Sequence, residues 1–566
     1  MSEHYTYPGV YIREEVLGSP TIAGVATSIT SFIGYANTND GDLLHAPKRL
    51  TSYSQYEKIF GQPTVDSDLA LSVRQFFLNG GSDCYVVNVF QRPGSKAWAY
   101  IVLAKNDDPE KAFTFKTNTK NRKLYLIFRA KFNGAVYHNI SITLTKGEPP
   151  EQCFNIHVSM SHPNDNTKEI YTADYYNCDL GNVERRINDF NPFIDCEILS
   201  SQDSATPSTS NIGKFTPPPA DIPLDDKIPL IKAAPPATPP ATPPATPIVS
   251  EMFSLSHGSD DTLPIGEIED NYTNAINSLD RIDLFNLMVI TKCEGMTDDN
   301  YRRILTHAID YCHDRRAFLL IDPFTTWGPS EYSQTENILA NISSVRAIIP
   351  QYQCAVYYPF LVINEKDPIT KERNPREIGP AAAVAGVIAR IDSRRGVWKA
   401  PAGIEAMMTG FDNLSVKLTD EENGVLNEQA VNCIRAFPAG NTCWGARTVE
   451  GYDNSSSAWK YVSIRRLTLF IEETLYRATK WVVFELNDEP LWAKIRNSIN
   501  PFMLDLYEKG AFQGAPDQAF FVKCDSETTT PEDQENGIVN IIVGFAPVKP
   551  AEFVVITIQR IMGELQ

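Results

Sequence analysis

The chain has 566 residues, 42% of them hydrophobic, and a formal net charge of -19 at pH 7. This length allows about three or four domains of ~150 residues with substantial cores. The negative charge argues against direct nucleic-acid binding, which needs clustered Lys and Arg to replace the counterions of the phosphates. The sequence shows no apolar run of about 18 residues and no signal-peptide pattern at its start. We therefore expect synthesis and folding in the cytoplasm, and no integral membrane segment.

The ten cysteines are spread thinly, without a Cys-x-x-Cys pair or another spacing typical of zinc ligands. This pattern predicts free, buried thiols.

Two strand patterns open the chain. The first covers residues 7–15 behind a Pro-Gly turn, and the second covers residues 22–36. The stretch between them contains Gly18 and Pro20, which do not favour a rigid element. We therefore expect the first strand to be tethered loosely enough to leave its own subunit.

An alternation of helix and strand patterns follows, is interrupted near residue 94, and resumes near residue 271. The predicted helices are 53–60, 69–79, 271–279, 301–312, 335–342 and 381–391. The predicted strands are 84–90, 287–290, 317–321 and 355–358. Such alternation predicts a layered sheet with helices on its faces, so the interruption divides a single core.

The interrupting region is rich in strand patterns, at residues 124–128, 140–144 and 154–158, and is interpreted as an inserted domain. It ends in a proline-rich stretch, residues 216–247, with a recurring Pro-Pro-Ala-Thr unit. This composition predicts a semi-rigid polyproline II spacer. The alternative is a ligand for a proline-recognition module, because Pro-x-x-Pro pairs are present.

The last part of the chain contains two amphipathic helix patterns. The first has apolar residues at spacings of three and four between Ile464 and Trp481. The second starts at Asn487 or Asp488 with Pro490 and ends at Gly510, and Pro501 should kink it. Strands are predicted over 519–524 and 537–545, before a final run.

That final run, residues 550–560, alternates with period two and has no hairpin partner after it in the chain. Its partner must lie far away in sequence or on another molecule. An unpaired strand readily pairs with a second chain, so we interpret this run as a connector.

Enzyme motifs are absent from the sequence, which has no Walker loop, His-Glu-x-x-His or Gly-x-Ser-x-Gly. We therefore expect no enzymatic activity and no cofactor. His307 and His313 near Cys312 could indicate a metal or thiol site, but structural roles are favoured because the helical spacing does not bring all three together.

Three further groups have a chemical and a structural interpretation. Asp260-Asp261 with Asp322 could hold a divalent cation, although turn and capping roles are favoured. Residues 444–447, Trp-Gly-Ala-Arg, could form a ligand pocket or, as favoured, an aromatic-plus-Arg packing or subunit contact. The helix charges predict a solvated face or pairing with the next subunit, and these charges are Arg465, Arg466, Glu472 and Glu473.

Segments distributed along the chain resemble contractile tail sheath proteins. They keep one order and comprise residues 7–12, 357–359, 384–392, 395–402, 444–448, 465–467, 484–487, 524–525, 546–547 and 550–553. Residues 134–139 are similar to a Gly-x-x-x-x-Asn turn in the outer domain of many sheaths.

The resemblance implies an α/β (α+β) discontinuous core domain with an inserted β-rich outer domain and extended terminal β-strand arms. We expect the arms at 1–21 and 548–566. The parts between them are the core at 22–94 and 264–547, the outer domain at 95–215, and the linker and return to the core at 216–263.

In such sheaths, the resemblance implies, subunits stack as hexameric rings around an inner tube between a baseplate and terminal cap proteins. The chain is then expected to be part of a phage-tail-like particle that is released or anchored. The residues expected to pair between subunits are Val10, Tyr11, Ile12, Phe553, Val555, Ile556 and Ile558. The expected hinges are Gly18, Pro20 and Pro550, and the expected inner-tube contacts are Asp505, Glu508 and Lys509. The alternative function is a surface-binding or adhesive module carried by the inserted domain.

Overall fold

A computed structural model of the chain describes residues 22–36, 38, 41–61, 63–64, 66–90, 96–103, 122–133, 135–146, 153–162, 165–202, 250–255, 267–328, 334–347, 350–366 and 373–553. The predicted N-terminal strand, the proline-rich spacer and the terminal run beyond Phe553 lie outside these residues.

The strands before residue 260 are β1 (Thr30–Gly34), β2 (Lys48–Leu50), β3 (Cys84–Asn88), β4 (Lys96–Leu103), β5 (Arg122–Asn133), β6 (Ile140–Lys146), β7 (Phe154–His162), β8 (Asp165–Cys178), β9 (Ile194–Gln202) and β10 (Ser250–Ser254). The later strands are β11 (Leu287–Ile290), β12 (Phe318–Ile321), β13 (Cys354–Tyr358), β14 (Leu361–Lys366), β15 (Arg373–Ile378), β16 (Asn413–Leu414), β17 (Val431–Phe437), β18 (Gly440–Cys443), β19 (Phe520–Lys523) and β20 (Ile542–Phe545).

The α-helices are α1 (Tyr53–Phe60), α2 (Leu69–Leu78), α3 (Val183–Phe190), α4 (Ile268–Asn277), α5 (Asp298–Asp314), α6 (Gln334–Arg346), α7 (Ala381–Arg395), α8 (Asp420–Glu428), α9 (Val462–Ala478), α10 (Glu489–Glu508), α11 (Pro516–Ala519) and α12 (Pro531–Glu535).

A mixed eight-stranded sheet forms the centre of the fold, in the order β18-β17-β13-β12-β11-β1-β3-β2. Its inner strands are parallel, and only the edge strands β2 and β18 run antiparallel to their neighbours. β1 pairs directly with β3 and with β11, although more than 250 residues separate β1 from β11. The predicted alternation of strands and helices around an interruption therefore describes one sheet.

The inner strands are buried on both faces, which explains their continuous apolar sequences. Phe32 of β1 belongs to one buried cluster with helices α2 and α7, whereas the next residue, Ile33, belongs to a second cluster with α4, α5 and α6. The helices α2 and α7 touch where Gly386 faces the backbone of Phe76, since a Cβ there would lie 2.4 Å from the Phe76 carbonyl oxygen.

The strands from β4 to β10 pair only with one another within the described residues. They form the sheets β4-β5-β9 and β10-β6-β7-β8. A separate apolar cluster joins the two sheets and helix α3 and includes the buried Phe128, Ile142 and Val158. The strands predicted at 124–128, 140–144 and 154–158 are confirmed and extended, while the division of the chain into domains stays a prediction.

The C-terminal part has its own apolar cluster. Helices α9 and α10 pack against the inner face of the antiparallel β19–β20 hairpin. The predicted start of α10 is confirmed: Asp488 accepts a hydrogen bond from the Leu491 N–H, and Pro490 lies in the first turn. Gly510, with φ of +84°, follows the end of the helix, as predicted.

Two strand predictions were too long. The second strand starts at Thr30 rather than at residue 22, and the strand predicted from residue 537 starts at Ile542. The prediction of free thiols is confirmed, since all ten cysteines are unpaired and nine of them are buried. Among the described residues, no helix combines the length and apolar character needed to cross a bilayer.

Candidate functional site

The loop at residues 444–448 follows β18 and is held by the buried side chain of Asn432 in β17. The Asn432 Nδ2 donates to the Arg447 carbonyl at 2.8 Å, and the Arg447 N–H donates to the Asn432 Oδ1 at 2.7 Å. Gly445 lies against the same side chain, because a Cβ there would come within 2.8 Å of the Asn432 Oδ1. These contacts fix where the side chain of Arg447 enters the protein.

Arg447 is 1% exposed and binds Glu552, close to the C-terminal end of the described chain. Its Nε donates to the Glu552 Oε1 at 2.8 Å and its Nη2 to the Glu552 Oε2 at 2.6 Å. The remaining nitrogen, Nη1, donates to Asp453 Oδ1 and to the Asn427 carbonyl, both at 2.8 Å. A two-pronged Arg–carboxylate pair is among the stronger hydrogen-bonded contacts in proteins, so Glu552 is a firm attachment point.

Hydrogen bonds within this site shift the pKa values of two of its charged groups. Burial lowers the pKa of Arg447, but its hydrogen bonds to Glu552 and Asp453 outweigh that effect and leave the pKa above its ordinary value. The pKa of Asp453 lies below its ordinary value, first because Lys460 donates to it and also because Arg447 is near. Both shifts favour the charged forms of Arg447 and Asp453.

The segment before Glu552 is attached at a second place. The Gln513 N–H donates to the Ala546 carbonyl at 2.9 Å, and the Val548 N–H donates to the Ala511 carbonyl at 3.2 Å. Residues 546–552 thus run from the end of the hairpin across the loop after α10 to Arg447. Phe553, the next residue, is 76% exposed.

The hairpin presents two different faces. The inner face, including Phe520, Val522 and Val543, packs against α10. The outer face carries Phe521 and Ile542, which are 49% and 47% exposed. Within the described residues β19 and β20 pair only with each other, and two-stranded sheets are marginally stable alone.

The structure places only some of the predicted pairing and hinge residues. Phe553 is exposed beyond Arg447, and Pro550 is partly buried between the two attachment points. The others lie outside the described residues and stay predictions: Val10, Tyr11, Ile12, Gly18, Pro20, Val555, Ile556 and Ile558.

The predicted inner-tube contacts lie together on the last turn of α10. Lys509 donates to Asp505 at 2.7 Å, and both side chains are more than half exposed. Glu508 is exposed beside them. The turn thus forms a polar surface, and its role as a contact stays a prediction.

The interpretation of the α9 charges as a solvated face was wrong for three of the four residues. Arg465, Arg466 and Glu473 are about 5% exposed, whereas Glu472 is exposed. Arg466 forms a two-pronged pair with the buried Asp392 of α7, with a shortest distance of 2.6 Å. Helical spacing indicates which residues share a face, but it does not show that a neighbouring helix covers that face.

Glu473 and Arg465 also find their partners within the chain. Glu473 accepts hydrogen bonds from Arg316 and Arg477, both at 2.6 Å. Arg465 donates to the buried Gln353. These charges therefore join α9 to the core of the same molecule.

The residues considered as metal or ligand sites have structural contacts. Asp322 is buried and accepts the Ala381 N–H at 2.7 Å, which confirms the capping role at the start of α7. His307 hydrogen-bonds Asn277 at 2.9 Å, and the described residues contain no cluster of three metal-ligating side chains. Asp260 and Asp261 lie outside the described residues.

Trp444 and Arg447 have different surroundings. The Trp444 ring is 41% exposed and lies 4.6 Å from the Phe437 ring, while Arg447 is buried among acidic groups. The aromatic-plus-Arg packing is therefore not what holds Arg447, which lies in a buried ion-pair cluster, and a subunit contact at residues 444–447 stays a prediction. The sequence did not reveal its pairing with Glu552, although both residues lie in segments that carried the family resemblance.

Comparison with known proteins identifies the C-terminal part. Residues 454–561 match the family described as phage tail sheath C-terminal domain. The tail sheath protein of Vibrio phage KVP40 is 26% identical over 216 residues, which are 37% of this chain and 30% of that protein. The chain thus aligns with less than a third of the length of this relative.

Solved structures show the same fold over nearly the whole chain. The contracted sheath complex of an extracellular contractile injection system, PVC, aligns with a TM-score of 0.52 at 20% identity. The alignment covers 99% of this chain and 98% of the PVC chain. The contracted helical sheath of the anti-feeding prophage aligns with a TM-score of 0.53 at 19% identity, and the alignment covers 98% of this chain and 99% of the prophage chain. The resemblance to contractile tail sheath proteins is confirmed, together with the mixed α/β fold.

Proposed function

We propose that this chain is a structural subunit of a contractile sheath, which polymerises as stacked hexameric rings around an inner tube and contracts to drive that tube through a target envelope. The attachment of Glu552 to the buried Arg447 carries the proposal. It holds the exit of the C-terminal segment at the core, with Phe553 exposed and an alternating apolar run following in the sequence. A segment that leaves a fixed point in this way suits donation to another copy.

The β19–β20 hairpin is the proposed acceptor of a donated strand. Its inner face is packed, so a further strand adds at an outer edge and extends an existing ladder. About five added hydrogen bonds at ~0.5–1.5 kcal/mol each contribute roughly 3–7 kcal/mol per arm. Repeated over many subunits, this links the rings while the cores move.

The proposed domain organisation follows the separate sheets. The core at 22–94 and 264–547 contains the eight-stranded sheet, and the outer domain at 95–215 contains six of the seven strands of the two smaller sheets, which within the described residues pair with no strand of the eight-stranded sheet. Residues 216–263 are proposed as the linker that returns the chain to the core, and β10 within them still pairs with β6 of the outer domain. Since the two parts have separate apolar clusters, the sequence of the outer domain can change without altering the packing of the core.

Contraction is proposed as a shift between two lattices of the same subunits. Gly18 and Pro20 serve as the hinge of the first arm. Pro550 lies between two attachment points, so it acts as a hinge only when the Glu552–Arg447 pair opens. The strength of that pair then limits how far the C-terminal arm can swing.

The proposed partners are other copies of this chain, an inner tube protein contacted by Asp505, Glu508 and Lys509, and baseplate and cap proteins at the ends. The exposed ion pair of Asp505 and Lys509 suits recognition by charge more than stabilisation of the subunit. The assembled particle is phage-tail-like and is either released or anchored.

Negative-stain microscopy of the full chain, and of a variant ending at Phe553, tests the proposal. We expect ribbed tubes or stacked rings from the full chain. The shortened chain should give folded single subunits, because every described contact of residues 22–553 is kept. Folded but unassembled full chain, under conditions that include a tube protein, would contradict the proposal.

A further inference from the structure

An exposed apolar loop lies between α9 and α10. Val483, Phe484 and Leu486 are 63%, 104% and 79% exposed, and these three side chains are called the apolar knob. The exposed Glu485 lies among them. Single exposed apolar residues are common, but three within four residues mark a contact surface.

The backbone of the knob is strained at Phe484. The Glu485 N–H donates to the Val482 carbonyl at 3.1 Å, which closes a four-residue turn. Val483 has φ of -65° and ψ of 127°, and Phe484 has φ of +71°. This is the geometry of a type II turn, in which the second central position favours glycine. Phe484 therefore costs folding free energy, and its fully exposed side chain gives no packing in return.

The chain directly after the knob is anchored by hydrogen bonds. Asn487, just after it, accepts a hydrogen bond from the Trp492 Nε1 at 2.9 Å and donates to the Ile538 carbonyl at 2.9 Å. Gln534 donates to the Asn487 carbonyl at 3.0 Å. An aromatic side chain has few rotatable bonds and loses little entropy on binding, which is typical of anchor residues at interfaces.

The same chain contains a cavity with an apolar side that could receive the apolar knob of another copy. It lies between α9, α10 and the inner face of β20 and has a volume of about 740 Å³. One side is apolar, with Leu475, Ile499, Ile541 and Val543. This space, called the α9 cavity, lies in the size range of ~300–1,000 Å³ in which pockets enclose ligands.

The other side of the α9 cavity is aromatic and positively charged. The Arg465 guanidinium lies 4.9 Å from the Tyr352 ring and 5.1 Å from the Trp459 ring. Arg316 lies 4.2 Å from the Tyr476 ring. Arg316 already donates to Glu473, but it shares that buried carboxylate with Arg477 and keeps 29% of its side chain exposed, so an incoming acidic group can become its second partner.

We propose that the apolar knob of one copy inserts into the α9 cavity of the next copy, with Phe484 and Leu486 entering the cavity and Glu485 facing Arg316. The inference rests on the proposed self-assembly. Knob and cavity are different residues of one chain, so a contact made in one direction only, as proposed here, is head-to-tail and repeats into a ring or a helical filament. A donated strand adds at an edge of the hairpin, whereas the cavity lies under its inner face, so the two contacts use different parts of it.

Phe484→Gly separates this role from folding, because glycine suits the turn and lacks the side chain. We expect the single subunit to unfold at an equal or higher temperature. The fraction of protein sedimenting as polymer at a fixed concentration should fall, with a rise of roughly thirty-fold or more in the concentration needed for assembly. Phe190→Ala, which removes an aromatic ring that is 75% exposed elsewhere, should leave assembly unchanged.

A second measurement tests the cavity. Phe484→Cys in one preparation and Ile541→Cys in another, both with Cys153→Ser, are mixed, assembled and oxidised. We expect a cross-linked dimer from the mixture and none from either preparation alone. Normal assembly of Phe484→Gly, or assembled mixtures without this cross-link, would overturn the inference. If wild-type protein forms no polymer even when a tube protein is present, the proposed function fails instead.

Discussion

Arg447 and Glu552 are 105 residues apart in the chain and form two parallel hydrogen bonds, of 2.8 and 2.6 Å. The arginine is fixed by the loop after β18, and the glutamate lies next to the exposed Phe553. The contact thus connects the rigid sheet to the start of the segment that we propose is donated to another copy. Its strength sets both the position and the freedom of that segment.

Glu552→Ala should release the C-terminal segment. Arg447 then keeps only Asp453 and backbone carbonyls, and the loss of a buried partner costs about 2–4 kcal/mol, reduced because Glu552 is partly exposed. We expect faster amide hydrogen exchange in residues 549–553, with the central sheet unchanged. The exposed Glu535→Ala is the matched control, and equal exchange in both variants would exclude an anchoring role.

Arg466→Met should destabilise the subunit by about 3–5 kcal/mol, because Asp392 is left buried without its main partner. The denaturant midpoint of the soluble subunit measures this loss. Arg466→Met combined with Asp392→Leu should recover part of the stability, since both charges are then removed. If the losses of the two single variants simply add in the double variant, the two side chains do not stabilise each other.

The ionisation of the buried Asp322 should make the free energy of unfolding depend on pH. Burial raises its pKa to about 7, and the Ala381 N–H and Lys292 only partly oppose that effect. A raised pKa means that the folded state binds the proton more tightly, so this contribution is complete below about pH 4 and is lost as pH rises through 7. Asp322→Asn keeps an acceptor for the Ala381 N–H and has no charge to bury. We expect its stability relative to wild type to increase between pH 4 and 8, by an amount on the order of 4 kcal/mol. A constant difference between the two unfolding curves would contradict the assignment.

Asp505→Lys should affect assembly and leave the fold intact. The pair with Lys509 is exposed and contributes about 0.3–0.5 kcal/mol, so the unfolding temperature should hardly change. If the last turn of α10 faces the tube, the reversed charge should reduce the yield of tube-filled particles. Full-length particles at normal yield would remove the turn from the proposed tube surface.

The sequence predicted those features that depend on neighbouring residues. The start of α10 at Asp488 and its end at Gly510 follow from capping chemistry, and the strand at Leu287–Ile290 follows from its apolar run. The pairing of Arg447 with Glu552 and the burial of Arg466 depend on which distant segments meet. A charged residue on a helix has the same local pattern whether it faces water or a buried carboxylate. The pattern therefore predicted that Arg466 is exposed, whereas in the fold it faces the buried Asp392.

The central claim is that the terminal strand of one copy completes the hairpin of another. A mixed-copy cross-link tests it most directly: one preparation carries Val555→Cys, the other carries Phe521→Cys, and the two are assembled together and oxidised. The account predicts a cross-linked dimer that contains one chain of each kind. A chain carrying both cysteines that closes the bond within itself, at high dilution and after assembly alike, would contradict it.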